Sequence, residues 1–318
     1  MNTILVTGGA GYIGSVTAWQ LAQKGYNVIV LDLLIHNQTF NYPWATFIHG
    51  DYGDAILLEH IFTTYNITAV MHFGAFIEVG ASVKNPALYY HNNVFKTDML
   101  LNAMRKQNIT TFVFSSSCAV YGIPQTTYLT EAHPRNPISP YGKTKYMVEM
   151  ILEDYATVYG LKSVALRYFN ACGAVPEQGL YEQHYPETHV IPLLLNAAQQ
   201  QTPFAIFGTD YPTSDGTCIR DYVHVADIAH AHCQALEYLK THTGFTACNL
   251  GTGTGYSVKE LISYTEEITE KKISSVICAR RMGDPERLVA QAGKAQELLH
   301  WIPQYTDIKK TLLSIINK

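Results

Sequence analysis

No two cysteines stand in a Cys-x-x-Cys pair in this 318-residue chain, although it holds six: Cys118, Cys172, Cys218, Cys233, Cys248 and Cys278. That excludes the common thiolate zinc and redox motifs. The length argues against a small disulfide-stapled domain, so reduced thiols in a cytoplasmic protein are expected. No apolar run is long enough to span a bilayer. Met1 leads within two residues into Ile4-Leu5-Val6-Thr7, which reads as a buried strand and leaves no room for a signal peptide. The Asn-x-Thr triplets at Asn37, Asn66 and Asn108 are accordingly read as chance matches. Charge is scarce too: 15% of residues are charged and the net charge is -4. A basic footprint for nucleic acid or an anionic membrane is therefore missing. The thirteen histidines include no His-Glu-x-x-His. His224, His230 and His232 share a helix face poorly, so no metal is expected. Internal repeats and low-complexity linkers are absent as well.

What is present is alternation. Ile4–Thr7, Asn27–Leu31, Ala69–Phe73, Thr111–Ser115 and Ser163–Arg167 are short apolar runs without period-2 patterning, as strands buried on both faces require. Helical patterns lie between them, at Ile13–Lys24, Ala87–Lys106 and Tyr141–Tyr159. Strand alternating with helix predicts an α/β fold with a doubly wound parallel sheet, which binds ligands beyond the carboxyl ends of its strands. After about residue 170 the loops lengthen (Val175–Thr188, Gly208–Gly216) between helices such as Val225–Lys240 and Ser257–Thr269. The expected division is residues 1–170 as a nucleotide-binding domain and 171–318 as a smaller α+β substrate domain. The boundary is soft, because later segments can return to the first sheet.

Four motifs fall at the ligand-facing edge. Gly8, Gly11 and Gly14 follow a predicted strand and open a helix, which suits a tight turn, close approach to pyrophosphate and helix packing on the strand. The helix N-terminus then offers N–H groups to phosphate. Asp32 ends the next strand, where a carboxylate bonds the adenosine ribose and repels a 2′-phosphate, favouring NAD over NADP. Ser115-Ser116-Ser117 ends a strand and can aim a hydroxyl at a substrate oxygen. Tyr141 and Lys145 share a helix face at i and i+4, with Ser139 as N-cap and Pro140 in the first turn. The ammonium is expected to lower the phenol's pKa toward working pH. Arg220 and Arg281 lie in loops suited to holding a diphosphate.

The glycine loop, the serine strand end and Tyr-x-x-x-Lys together resemble the extended short-chain dehydrogenases/reductases, with their Rossmann-type domain. Further segments are similar to the UDP-glucose 4-epimerases: Asn92-Asn93-Val94, Arg167-Tyr168-Phe169-Asn170, Asp210-Tyr211-Pro212-Thr213 through Asp215-Gly216-Thr217, and Arg220-Asp221-Tyr222-Val223-His224-Val225. The resemblance runs from residue 3 to about 300. It implies that Gly8, Gly11, Tyr12, Ile13, Gly14 and Asp32 hold adenosine and pyrophosphate, and that Asp51 and Tyr52 flank adenine. Phe73, Gly74, Ala75, Asn92 and Ser115 would line the cofactor, Lys145 would bond the nicotinamide ribose, and Tyr168 would pack nearby. Ser117 and Tyr141 would address the sugar 4-hydroxyl. Asn170, His189, Phe207, Arg220, Arg281 and Asp284 would hold the uridine diphosphate of a UDP-hexose. A homodimer through Ala87–Lys106 and Tyr141–Tyr159 is also implied.

Three positions depart from the family pattern. Leu33-Leu34 follows Asp32 where many relatives carry Asn. His189 stands where several carry Asn. Leu288 shapes the pocket around the sugar 2-substituent and is neither the large tyrosine nor the small residue of the two specificity types, so acceptance of N-acetylated sugars stays open. The implied chemistry is inversion at C4: Tyr141 takes the 4-hydroxyl proton with Ser117 assisting, hydride leaves C4 for the nicotinamide, and the 4-keto sugar turns before hydride returns. A 4,6-dehydratase would need an acid after Ser117, where Cys118 and Ala119 stand. A 4-keto-sugar reductase using NADP is disfavoured by Asp32. A non-catalytic NAD sensor would have lost Tyr141 or Lys145.

Overall fold

The computed structural model describes residues 2–35, 39–183, 187–281 and 284–316. The triplet at Asn37, like Met282-Gly283 of the second arginine loop, lies outside the described residues.

The chain begins β1 (Thr3–Thr7), α1 (Tyr12–Gln23), β2 (Asn27–Asp32), β3 (Thr46–His49), α2 (Ala55–Thr64), β4 (Ile67–His72), α3 (Val79–Lys84) and α4 (Pro86–Tyr90). After one π turn (His91–Phe95) come α5 (Lys96–Lys106), β5 (Thr111–Ser117), α6 (Pro140–Tyr159) and β6 (Lys162–Tyr168). The second half holds β7 (Asn170–Cys172), α7 (Val190–Gln200), β8 (Phe204–Phe207), β9 (Ile219–His224), α8 (Val225–Tyr238) and β10 (Phe245–Leu250). It ends with β11 (Gly255–Ser257), α9 (Val258–Thr269), β12 (Ser275–Cys278), β13 (Arg287–Leu288), α10 (Gly293–Leu299) and α11 (Ile308–Ile316).

Seven parallel strands form one sheet in the order β10-β6-β5-β4-β1-β2-β3. Side chains alternate across a strand, and here both faces are apolar. Ile4, Val6, Val28 and Val30 face a core with Ala18 and Leu21 of α1 and Ile228 and Ala231 of α8. Leu5, Ile29, Leu31, Phe112 and Phe114 face a second core with Leu58 of α2, Leu101 of α5 and Leu152 of α6. Two cores, one on each face, account for the missing period-2 pattern.

Residues past 170 do return to this sheet: β10 pairs with β6 along its whole length, and α8 packs on α1. Short β3 and helix α2 had no clear sequence signal. The single helix expected over Ala87–Lys106 is broken by the π turn. There Asn93 Nδ2 donates to Phe76 O (2.9 Å) and Thr144 Oγ1 (3.2 Å), and Asn93 Oδ1 accepts from Phe76 N (2.9 Å). The extra residue in that turn aims Asn93 across to the loop after β4 and to α6. The rest of the second half builds a small sheet around β9, joined by β7, β11 and β13, and a β8–β12 pair. A third core joins Leu194 of α7, Leu261 of α9 and Leu312 of α11.

Candidate active site

The glycine loop is shaped by close backbone approach. Gly8 has φ +70, and a Cβ there would lie 2.5 Å from Gly74 N; one at Gly14 would lie 2.3 Å from Gly8 O. Gly11 caps α1 with no side-chain bond, whereas Asp54, Ser139, His224 and Ser257 each cap their helices. The first-turn amides of α1 are thus not closed by a side chain, as an anion at that end requires. Asp32 accepts from Ala10 N (3.0 Å) and Leu34 N (2.8 Å), which fixes its carboxylate beside the loop.

The other positions expected to line the cofactor are held from behind. Tyr12 donates to Gly173 O (2.6 Å), so its hydroxyl is committed inside the protein and burial raises its pKa. Asp51 pairs with Lys96 (2.5 Å) and accepts from Gly53 N (2.8 Å). Tyr52 is buried, donates to Asn92 O (2.7 Å), and sits so close beneath Gly74 that a Cβ there would lie 2.5 Å from its ring. Its ring supports the turn from beneath. Phe73 N donates to Thr7 O (2.8 Å), joining the ends of β4 and β1 and leading into Gly74 and Ala75. Ile13 packs against two apolar clusters.

Ser117, Tyr141 and Lys145 meet where β5 ends and α6 begins. Ser139 accepts from Gly142 N (3.1 Å) and Pro140 opens the helix, so Tyr141 stands in the first turn. Gly142 lets that turn press on the chain after β5; a Cβ would lie 2.5 Å from Ala119 O. The Ser117 hydroxyl stands close enough to the Tyr141 phenol to lower its pKa. Lys145, almost fully buried, donates to Ser115 O (2.7 Å), with its ammonium 4.9 Å from the centre of the Phe114 ring. Ser115 Oγ bonds Tyr168 OH.

The expected acidification of Tyr141 by Lys145 is not what the free chain shows. Burial pushes the phenol up to about 12, against the lowering from Ser117. Burial pulls the Lys145 ammonium down to about 7, with Glu149 opposing. Desolvation penalises both charged forms, so phenol and amine are the resting species above neutrality. We predict that Gly142→Ala, by displacing the Tyr141 turn, lowers kcat about 10²-fold with the fold retained by circular dichroism. An unchanged kcat would show that the close approach is dispensable.

The residues expected to hold the diphosphate lie in the second half. Arg220 lies within strand β9 rather than in the expected loop; it is buried, ion-pairs Asp284 and donates to Pro285 O (2.7 Å). Arg281 is exposed, 4.1 Å from the centre of the Phe207 ring at the end of β8. Asn170 Nδ2 donates to Asp221 O (2.9 Å). His189 caps α7 and pairs with Glu182 (2.7 Å) and Glu187 (3.3 Å). These three have ligand atoms within 4.8 Å of one another, a His/carboxylate group formed by a loop and invisible to helical spacing. The two carboxylates outweigh burial and raise His189 to about 10. At neutral pH its imidazole is therefore protonated, and a metal would have to displace that proton.

Two groups were missed from sequence. The Asp221 carboxylate accepts from Thr252 N (2.9 Å), Gly253 N (3.0 Å) and Ala290 N (3.2 Å), pinning the loop after β10 beside Arg220. Glu149 is buried against Arg167 and Ser116. Its only sequence signal was its place eight residues after Tyr141, on the same helix face.

A parallel α/β sheet with a glycine loop at α1 and a Ser–Tyr–Lys group at β5 and α6 defines a nucleotide-cofactor-dependent protein built to move a proton and a hydride at a carbinol. Comparison with known proteins narrows this. Residues 4–251 match the model of the NAD dependent epimerase/dehydratase family, and the chain belongs to that family. It is 48% identical over 314 residues to the UDP-glucose 4-epimerase of Rhizobium leguminosarum bv. trifolii, covering 98% of this chain and 96% of that one. The crystal structure of UDP-glucose 4-epimerase from Brucella ovis in complex with NAD superposes with a TM-score of 0.95 at 44% identity, covering 100% and 98% of the two chains. The Bifidobacterium longum enzyme in complex with NAD+ and UDP superposes at 0.91 and 35% identity, covering 99% and 98%.

Proposed function

We propose that the protein is a UDP-glucose 4-epimerase that interconverts UDP-galactose and UDP-glucose on a retained NAD. The observation that carries this reading is the Ser117–Tyr141–Lys145 group beside an anion-ready glycine loop. Near-full-length likeness to UDP-glucose 4-epimerases supports it.

Gly8, Gly11, Gly14 and Asp32 form a tight turn that fits a dinucleotide: a Cβ at Gly14 would strike backbone of the turn itself, one at Gly8 the backbone of Gly74, and no side chain caps the first-turn amides of α1. NAD bound there supplies the acceptor for the C4 hydride and a positively charged ring that favours phenolate at Tyr141. Tyr141 takes the 4-hydroxyl proton and later returns it, Ser117 steadies that proton, and Lys145 holds the ribose. Arg220, Arg281, Asn170, Phe207, His189 and Asp284 anchor the uridine diphosphate while the hexose, loosely held, turns over. Residues 1–170 serve the cofactor and 171–318 the UDP-sugar. Heat-denatured protein should release NAD; preparations that equilibrate neither sugar and carry no NAD would reject this reading.

A dehydratase reading lacks its acid. Cys118 follows Ser117, and burial pushes its thiol up to about 12, too weak for proton transfer at neutral pH. Leu288 packs with Cys118 and Phe169 next to the sugar end of the site. Leu288→Ala should therefore raise kcat/KM for UDP-N-acetylgalactosamine relative to UDP-galactose about tenfold or more; an unchanged ratio would remove Leu288 from the sugar pocket.

The assembly we propose is a homodimer through α4, α5 and α6 and the intervening π turn. There Leu88 (44%), Phe95 (55%) and Val158 (69%) are exposed. A sedimentation run showing monomer alone would refute it. The six free cysteines fit a cytoplasmic location. No helix among the described residues is long and apolar enough to cross a membrane.

A further inference from the structure

Two successive residues of β5 are tied to successive turns of α6, and a third, Ser117, stands close enough to the Tyr141 phenol of the first turn to lower its pKa. The Ser115 carbonyl accepts from Lys145 Nζ at 2.7 Å. Ser116, whose side chain points to the opposite sheet face from its neighbours, donates to Glu149 Oε1 at 2.6 Å. Tyr141, Lys145 and Glu149 are spaced i, i+4 and i+8, so one helix stripe clasps one strand end.

Glu149 is fully buried, and the partners of its carboxylate are Ser116, Arg167 and Arg135. Its carboxylate accepts from Arg167 Nε (2.9 Å) and Nη2 (2.6 Å). Arg167 Nη1 in turn donates to Tyr121 OH (2.9 Å), and that hydroxyl to Asn249 Oδ1 (2.6 Å). This strap of the clasp is therefore anchored to β6 and, through Asn249, to β10. A buried carboxylate with a bidentate arginine is costly to desolvate, and a hydrophobic pair of equal volume often serves stability as well or better. Stability alone gives little reason for an ion pair at this place.

We propose that Glu149 is a positioning residue for C4 epimerisation: through Ser116 it locks the strand end that presents Ser117 to Tyr141, and it sets a fixed negative charge one helix turn behind Lys145. This rests on the reading of Ser117, Tyr141 and Lys145 as the reacting group. The charge acts in a known direction. Glu149 raises the proton affinity of Lys145 against burial, which favours the ammonium–phenolate form over amine–phenol. The other groups around Lys145 leave that role to Glu149. Tyr141 is a phenol in the resting chain, and Tyr168 bonds Ser115. His72 of β4 is held neutral, drawn down to about 3 by burial and then by Lys145 itself. Facing Glu149 are Arg167 of β6 and, at 3.5 Å, Arg135 of the loop before α6. They balance its charge and stay in place when it is removed.

The test compares wild type, Ser116→Ala and Glu149→Gln as purified, NAD-containing protein, with rates normalised to bound NAD across pH 5.5–9.5. Ser116→Ala should lower kcat about tenfold with KM for UDP-galactose and the pH profile unmoved. Glu149→Gln should lower the plateau kcat and move the ascending limb to lower pH, because Lys145 then sheds its proton more readily, again with KM unmoved. A wholly structural role predicts lowered melting temperatures with kcat per bound NAD and the pH profile unchanged in both variants, and that result overturns the proposal. Should Glu149→Gln fail to fold, Ser116→Ala decides, since it leaves the Arg167 pair intact: unchanged kcat overturns the proposal and a pure kcat loss upholds it. Wild type without epimerase activity overturns the reading of the reacting group, and this proposal with it.

Discussion

Tyr141→Phe should lose about 10³-fold in kcat while keeping its NAD, the scale expected when a positioned general base is removed. The change deletes one oxygen and keeps the half-buried ring, the α6 cap at Ser139 and the Lys145–Ser115 bond. What goes is the group that takes the 4-hydroxyl proton, the neighbour of Ser117. Binding of UDP-sugar, carried in this reading by Arg220 and its neighbours, should change little, so the loss belongs in kcat rather than KM. Retained turnover in this variant, measured with UDP-galactose, would remove Tyr141 from the chemistry.

Lys145→Met should lower kcat by about 10², within the usual range for a proton-transfer group, and release part of the bound NAD. Its pH profile is the sharper readout. In the free chain Lys145 titrates near 7 and Tyr141 near 12, so between those values the pair shares a single proton. Ammonium with phenolate is one form of that one-proton state, and it is the reactive one. Wild-type rate should therefore rise through neutral pH, as the pair sheds its first proton, and then level off. With methionine at 145 only the phenol titrates, so the rate should go on rising above pH 9 with no plateau. The substitution also leaves the buried Ser115 carbonyl without its donor, worth about 1–3 kcal/mol, so melting temperatures must accompany the kinetics. A pH profile identical to wild type would contradict the shared-proton account.

The parts of the site carried by local sequence were legible. A glycine loop must follow a strand and open a helix, and Gly8, Gly11 and Gly14 do. Ser139-Pro140 writes a helix start, and α6 begins there. Long-range placement was not legible. Strand β10 sits beside β6 because its apolar side chains fill both sheet faces, and nothing within Phe245–Leu250 names that neighbour. The π turn at His91–Phe95 arises from Asn93 reaching Phe76 and Thr144, contacts set by the fold. Spacing correctly put Tyr141 and Lys145 on one face but misjudged their electrostatics, since the desolvation that dominates both groups depends on burial. The His189 pair with Glu182 and Glu187 was hidden for a related reason: loop residues meet without a helical period.

The central claim is C4 epimerisation by a protein that keeps its own NAD. Proton NMR of the purified protein with UDP-galactose and no added cofactor tests it most directly. Growth of the UDP-glucose anomeric signal to a fixed ratio, reached equally from UDP-glucose, is the predicted result. An unchanged spectrum, even after NAD is added, would contradict it.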